Sequence, residues 1–174
     1  PPTLTLPCCD GGLHSFSAGQ NPIPDGLIVN GAEAIRRAIR NEIQYGSDWI
    51  KILVTGAFLS VGDSPKDVHF SQEELYVAVE EASRFGVPVA AHAHATEGIR
   101  MAVEAGVRSI EHGTYLDNKT IELMRRKEVF LVPTIYIGDL VVEESSDIRE
   151  KEVNRDYYDN YRETFLSLRS PSYT

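Results

Sequence analysis

Residues 87–113 read VPVAAHAHATEGIRMAVEAGVRSIEHG, and the reading of this stretch decides the fold. It opens on a short β-rich run, 87–92, passes through a helical segment at 97–105 closed by Gly106, and enters a second β-rich run, 107–111. Two strands joined through one helix at so short a spacing imply a right-handed βαβ crossover and parallel pairing. Both runs lead into histidine: His92 and His94 follow the first, His112 the second. In parallel α/β architecture, the C-terminal ends of strands are where functional side chains gather.

The same alternation extends outward in both directions. Upstream, Ser71-Gln72-Glu73-Glu74 is a capping box that opens a helix over 71–86. Leu75, Ala78, Val79, Ala82 and Phe85 form its expected buried stripe, and Gly86 closes it. A loop with Gly56, Gly62 and Pro65 separates that helix from the strand Trp49-Ile50-Lys51-Ile52-Leu53-Val54. Before it, residues 31–45 place Ala34, Ile35, Ala38, Ile39 and Ile43 at helical spacing, with Asn30 as the expected N-cap and Gly46 as the stop. Downstream come a helix at 118–127, a strand at 129–133, and a charged, Tyr-rich helical segment at 143–168. In that last segment Asp156, Tyr157, Tyr158, Tyr161 and Phe165 could form a mixed packing face.

Bulk properties set limits. A chain of 174 residues that is 42% hydrophobic builds one domain with a core. It is short for a closed eight-stranded α/β barrel, which takes about 250 residues. The net charge of −9 argues against nucleic-acid and anionic-membrane partners. No apolar run approaches the roughly 18 residues a membrane span requires. The opening Pro1-Pro2-Thr3-Leu4-Thr5-Leu6-Pro7 has neither the basic region nor the apolar run of a secretion signal. Cys8 and Cys9 are adjacent, a poor geometry for a mutual disulfide and a poor spacing for zinc. They read as reduced thiols in a cytoplasmic protein.

Three positions depart from plain strand chemistry. Lys51 lies between Ile50 and Ile52, where a central parallel strand would bury an unpaired ammonium at high cost. His92 and His94, one residue apart, share a face. His112 stands at the end of the next strand. Taken singly, a strand-end histidine is an ordinary hydrogen-bonded residue, and Lys51 an edge lysine that snorkels to solvent. Convergence at the ends of three consecutive strands favours a metal site instead, since imidazole is the commonest zinc ligand.

Four segments carry a family resemblance: Gly46-Ser47-Asp48-Trp49-Ile50-Lys51-Ile52, Val89-Ala90-Ala91-His92-Ala93-His94, Ser109-Ile110-Glu111-His112-Gly113 and Val132-Pro133-Thr134. In order and spacing, over about residues 25–140, they resemble the amidohydrolase superfamily, in the branch of Xaa-Pro dipeptidases and imidazolonepropionase relatives. The resemblance implies a segment of a TIM-like (β/α)8 barrel, strands three to seven, spanning residues 1–174 as a partial domain. It also implies a carboxylated Lys51 bridging two divalent metals, zinc foremost, with His92 and His112 binding the second. His94 becomes a substrate or supporting contact, and Tyr136 with Thr134 would shape the substrate pocket. The implied reaction is hydrolysis of a small amide or dipeptide-like C–N bond by a metal-activated hydroxide.

The sequence also departs from the family. No His-x-His pair precedes residue 51, where His14 stands alone, and the aspartate expected after the eighth strand has no counterpart. Residues 4–8 are a poor third strand, and Gly11-Gly12-Leu13-His14 an imperfect glycine-rich loop. The isolated chain is therefore expected to bind metal weakly or singly and to turn over little. It would be a fragment, or complete its barrel with other chains as an oligomer. Three other readings stay open: a non-catalytic scaffold, a cupin-type metal protein using His92 and His94, and a lactonase or phosphotriesterase activity on the same metal bridge. Manganese, cobalt and iron fit the same ligands as zinc.

Overall fold

A computed structural model describes residues 3–4, 27–58, 63–134 and 159. Within residues 3–4, 27–58 and 63–134, five strands alternate with four helices: β1 (Thr3–Leu4), α1 (Ala32–Gln44), β2 (Ile50–Leu53), α2 (Gln72–Ser83), β3 (Val89–Ala93), α3 (Thr96–Ala105), β4 (Ser109–His112), α4 (Asn118–Arg126) and β5 (Phe130–Val132). The strands form one parallel sheet in sequence order. This is the α/β architecture the alternation predicts, and the wall of a (β/α) barrel. Cys8, Cys9, His14 and Tyr136 lie outside the described residues, as does all of 143–168 except Asp159, which is helical.

Why these segments form these elements is visible locally. The capping box at Ser71 is made in full: its side chain accepts from Glu74 N while the Glu74 carboxylate accepts from Ser71 N at 2.8 Å. Gly106 ends α3 in the left-handed conformation (φ 97°), which a glycine adopts without Cβ strain. Asp117, not singled out in the sequence, caps α4 by accepting from Thr120 N at 2.7 Å. Two expectations are corrected. The N-cap of α1 is Gly31, not Asn30, and the Gly31 N–H donates to Glu74 Oε1 at 3.0 Å, so one carboxylate serves two helix starts. Phe85 lies beyond α2 and is 53% exposed, so the helix ends before the ring can turn inward.

The helices pack against one face of the sheet and against their sequence neighbours. Ile50 and Ile52 of β2 enter that core, with Ile35, Ile39, Leu75, Ile99 and Ile110. The opposite face carries two cross-strand rows fixed by register: Lys51, Ala90, Ser109 and Phe130, then Leu53, His92, Glu111 and Val132. This concave face is only partly covered, with Phe130 58% and Val132 42% exposed. Lys51 is thus half-buried rather than enclosed on both faces, because among the described residues nothing closes the inner side of the sheet.

Between α1 and α2 sits a charge cluster that the sequence pattern hid. Glu81 is buried, and its carboxylate accepts from Arg40 Nε at 2.6 Å and Arg36 at 3.1 Å. The Arg40 hydrogen bond, with Arg36 in support, holds the carboxyl below its usual range against the opposing effect of burial. Its contribution is therefore full above the unfolded carboxylate value, about 4.3, and lost as pH falls through the folded one. Glu81→Ala should lower unfolding stability by about 2 kcal/mol at pH 7, a figure reduced by the exposure of Arg40. Denaturant titration should show that penalty shrinking towards pH 3.

Candidate metal centre

Three imidazoles meet at the C-terminal edge of β3 and β4. The ring centroids of His92 and His94 are 4.6 Å apart, those of His92 and His112 4.7 Å, and those of His94 and His112 4.8 Å. One nitrogen from each lies within 4.8 Å of the other two. His92 and His94 arrive on the inner face by strand alternation. His112 does not: Glu111 already faces inward, so an extended His112 would point towards the helices. Its backbone is instead left-handed, φ 73°, and this turns the ring onto His92 and His94. A left-handed histidine is uncommon, and such strain persists only where its surroundings impose it.

Those surroundings are specific. His112 Nδ1 is 2.7 Å from Thr134 Oγ1, and Thr134 is itself left-handed at φ 50°. Gly113 follows with φ 67°, and a Cβ there would stand 2.6 Å from Leu131 Cδ1. His94 Nδ1 is 2.8 Å from Thr114 Oγ1, and its backbone N–H donates to the buried Thr55 Oγ1 at 2.8 Å. His92 Nε2 lies 3.2 Å from the Gly56 carbonyl oxygen. A carbonyl can only accept, so Nε2 carries the proton and Nδ1 keeps its lone pair. With Nδ1 of His112 engaged by Thr134 Oγ1, Nε2 is the ring nitrogen outside that contact. Metal-binding histidines are commonly oriented in this way by a partner on the other ring nitrogen.

Electrostatics agree with a ligand set. Burial pushes His92 down to about 4, with the Lys51 charge contributing. Burial, then repulsion from His92 and His112, takes His94 to about 2. Burial, then His92 and Lys51, takes His112 to about 3. Near neutral pH all three rings are neutral, the form that binds metal. Burial also lowers Lys51, against the opposing pull of Glu111. Glu111 accepts from Ser109 Oγ at 2.7 Å and faces inward beside His92. Buried, neutral and converging nitrogens are the donor chemistry of a divalent transition metal.

The structure therefore brings His92, His94 and His112 together and puts Lys51 on the same face, close enough for its charge to act on two of them. Sequence reasoning missed Thr55, Thr114 and the Asp63–His69 pair in the loop after β2. For Thr55 and Thr114 nothing in the sequence could have served, since buried hydroxyls leave no periodic trace. Asp63 and His69 were detectable only as an acid and an imidazole within a Gly/Pro loop.

A model of the amidohydrolase family matches residues 8–161. Ochratoxinase of Aspergillus niger is 38% identical over 125 residues, covering 72% of this chain and 26% of that protein. The crystal structure of A. niger ochratoxinase superposes with a TM-score of 0.85 at 30% identity, over 95% of this chain and 42% of the other. A Xaa-Pro dipeptidase crystallised with methionine in its active site gives 0.83 at 34% identity, over 95% and 43%. The chain thus spans about a quarter of the curated relative's length and about two fifths of each solved chain. No helix among the described residues is long and apolar enough to cross a membrane.

Proposed function

The chain belongs to the amidohydrolase family, and on that premise we propose that it forms the metal-holding wall of a hydrolase that cleaves C–N bonds in small amides or dipeptide-like substrates. The observation that carries this is the set of three imidazoles, two buried and one half-buried, with ligand nitrogens within 4.8 Å. Lys51, His92 and His112 would hold a divalent metal, zinc before manganese, cobalt or iron. When bound, such a metal supplies positive charge that acidifies a water and polarises a carbonyl.

The rest falls to side chains of this chain. Burial raises the fraction of Lys51 present as free amine. That amine attacks carbon dioxide, forms an N–C bond and releases a proton, giving a carbamate anion that suits a cationic partner. His94 and Tyr136 would contact substrate. The relatives' names, a Xaa-Pro dipeptidase among them, favour a peptide-like amide over a lactone or phosphotriester. The partly covered inner face is the surface that the rest of a barrel, from a longer chain or from other copies, would close. The chain alone would turn over little, and we place it in the cytoplasm.

The position of His94 favours a second arrangement, in which it is a third nitrogen ligand in this chain. His94→Gln separates the two: metal retained leaves it a substrate contact, metal lost makes it a ligand. The primary test is metal content per chain by elemental analysis, for the wild type and for Lys51→Ala and His112→Ala. Bound divalent metal that both substitutions remove is the expected result. A folded wild-type chain that takes up no added zinc would leave the family membership as ancestry and would favour a scaffold role.

A further inference from the structure

After β2, residues 54–57 and 63–69 lie against each other as a clasp. Thr55 and Val68 form an antiparallel bridge, the His69 N–H donates to Val54 O at 2.9 Å, and the Gly56 N–H donates to Asp67 O at 3.1 Å. Inside the clasp lies a carboxylate: the Asp63 side chain is 6% exposed and that of His69 3%. Asp63 Oδ1 accepts from Ser64 N at 2.9 Å and from His69 Nε2 at 3.1 Å, and Oδ2 accepts from Ala57 N at 3.1 Å. A buried carboxylate is unfavourable unless it is satisfied in this way. Gly56 permits the approach, since a Cβ there would stand 2.2 Å from Asp63 Oδ1 and from Ser64 O.

The Ala57 N–H and the Gly56 C=O belong to one peptide group. A trans peptide is planar, with its N–H and C=O directed oppositely. Asp63 therefore grips one end of a rigid plate whose other end accepts from His92 Nε2 at 3.2 Å. We propose that Asp63, steadied by His69, is a positioning residue: through the 56–57 peptide it fixes His92 as the Nε2–H tautomer and keeps Nδ1 as the lone-pair nitrogen. The consequence for metal binding rests on the metal-centre reading above. The tautomer itself does not.

The test is side-chain 15N NMR of the metal-free 174-residue chain near neutral pH, with the His92 signals assigned by their loss in His92→Gln, alongside zinc titration. The wild type should show a pure Nε2–H tautomer at His92. Asp63→Ala should give a mixed tautomer and weaken zinc binding by about 10- to 100-fold, as loss of an orienting partner does. A folded Asp63→Ala chain with the wild-type tautomer overturns the proposal. Should that variant not fold, the His69 pair decides. His69→Gln, which keeps an N–H donor for Asp63, should retain the tautomer, and His69→Leu should lose it; a folded His69→Leu chain that retains it overturns the proposal. A wild-type chain that binds no zinc, yet shows the Asp63-dependent tautomer, sinks the metal reading and sustains the positioning role.

Discussion

Lowering the pH of the metal-free chain from 7 towards 4 should unfold it cooperatively. His92, His94 and His112 are held neutral by burial, with values near 4, 2 and 3, against about 6.5 in an unfolded chain. Folded values below unfolded ones mean that the unfolded state binds more protons in this window. The stabilisation is therefore complete above about 6.5 and is lost as pH falls towards the folded values. The drop at His92 alone corresponds to roughly 3 kcal/mol, against a total stability of about 5–15 kcal/mol for an ordinary domain. Three rings within 5 Å of one another cannot share protons cheaply, so the combined loss is a large share of such a total. Far-UV circular dichroism against pH reads the midpoint. Zinc should move that midpoint downward, because a ligand bound only by the folded state stabilises it by mass action. A midpoint insensitive to His92→Gln would place the acid transition elsewhere.

The second large effect concerns Lys51. In a barrel completed with the segments that ochratoxinase-like relatives carry outside the matched region, Lys51→Ala should reduce kcat/KM for a peptide-like amide by at least about a thousandfold, roughly 4 kcal/mol of barrier. Alanine removes the amine that would form the proposed carbamate, and its small side chain adds no bulk to the row of Ala90, Ser109 and Phe130. The wild-type rate should also fall when carbon dioxide is stripped from the buffer, and the alanine variant should show no such dependence. Equal rates in the two proteins would exclude a carbamate at this position. A completed barrel with no amide activity in either would support the scaffold reading.

Much of this was written locally. The capping box at Ser71, the glycine at 106 and the apolar spacing at Ile35, Ala38 and Ile39 act over one or two helical turns, so short stretches of sequence carry them. The errors have different causes, one tertiary and one local. Asn30 is a good capping residue in isolation, but α1 starts one residue later, at Gly31, whose own N–H is satisfied across the α1–α2 contact by Glu74. Phe85 continues the apolar spacing of α2, but the helix ends at Ser83.

For the site, the sequence by itself determined the βαβ alternation, the parallel sheet and the strand-end placing of His92, His94 and His112; Lys51, expected at a strand end, is instead the second residue of β2, in the row before His92. Residue type and periodicity of two are properties of a single strand. Only the tertiary structure decided that His112 would join the other two rings. Alternation sends it outward, and a left-handed backbone held by Thr134 and Gly113 reverses that. The tertiary structure also set the protonated nitrogen of His92, through Asp63 and the 56–57 peptide. Both depend on contacts between residues distant in the chain, and those contacts form only when the strands stand side by side.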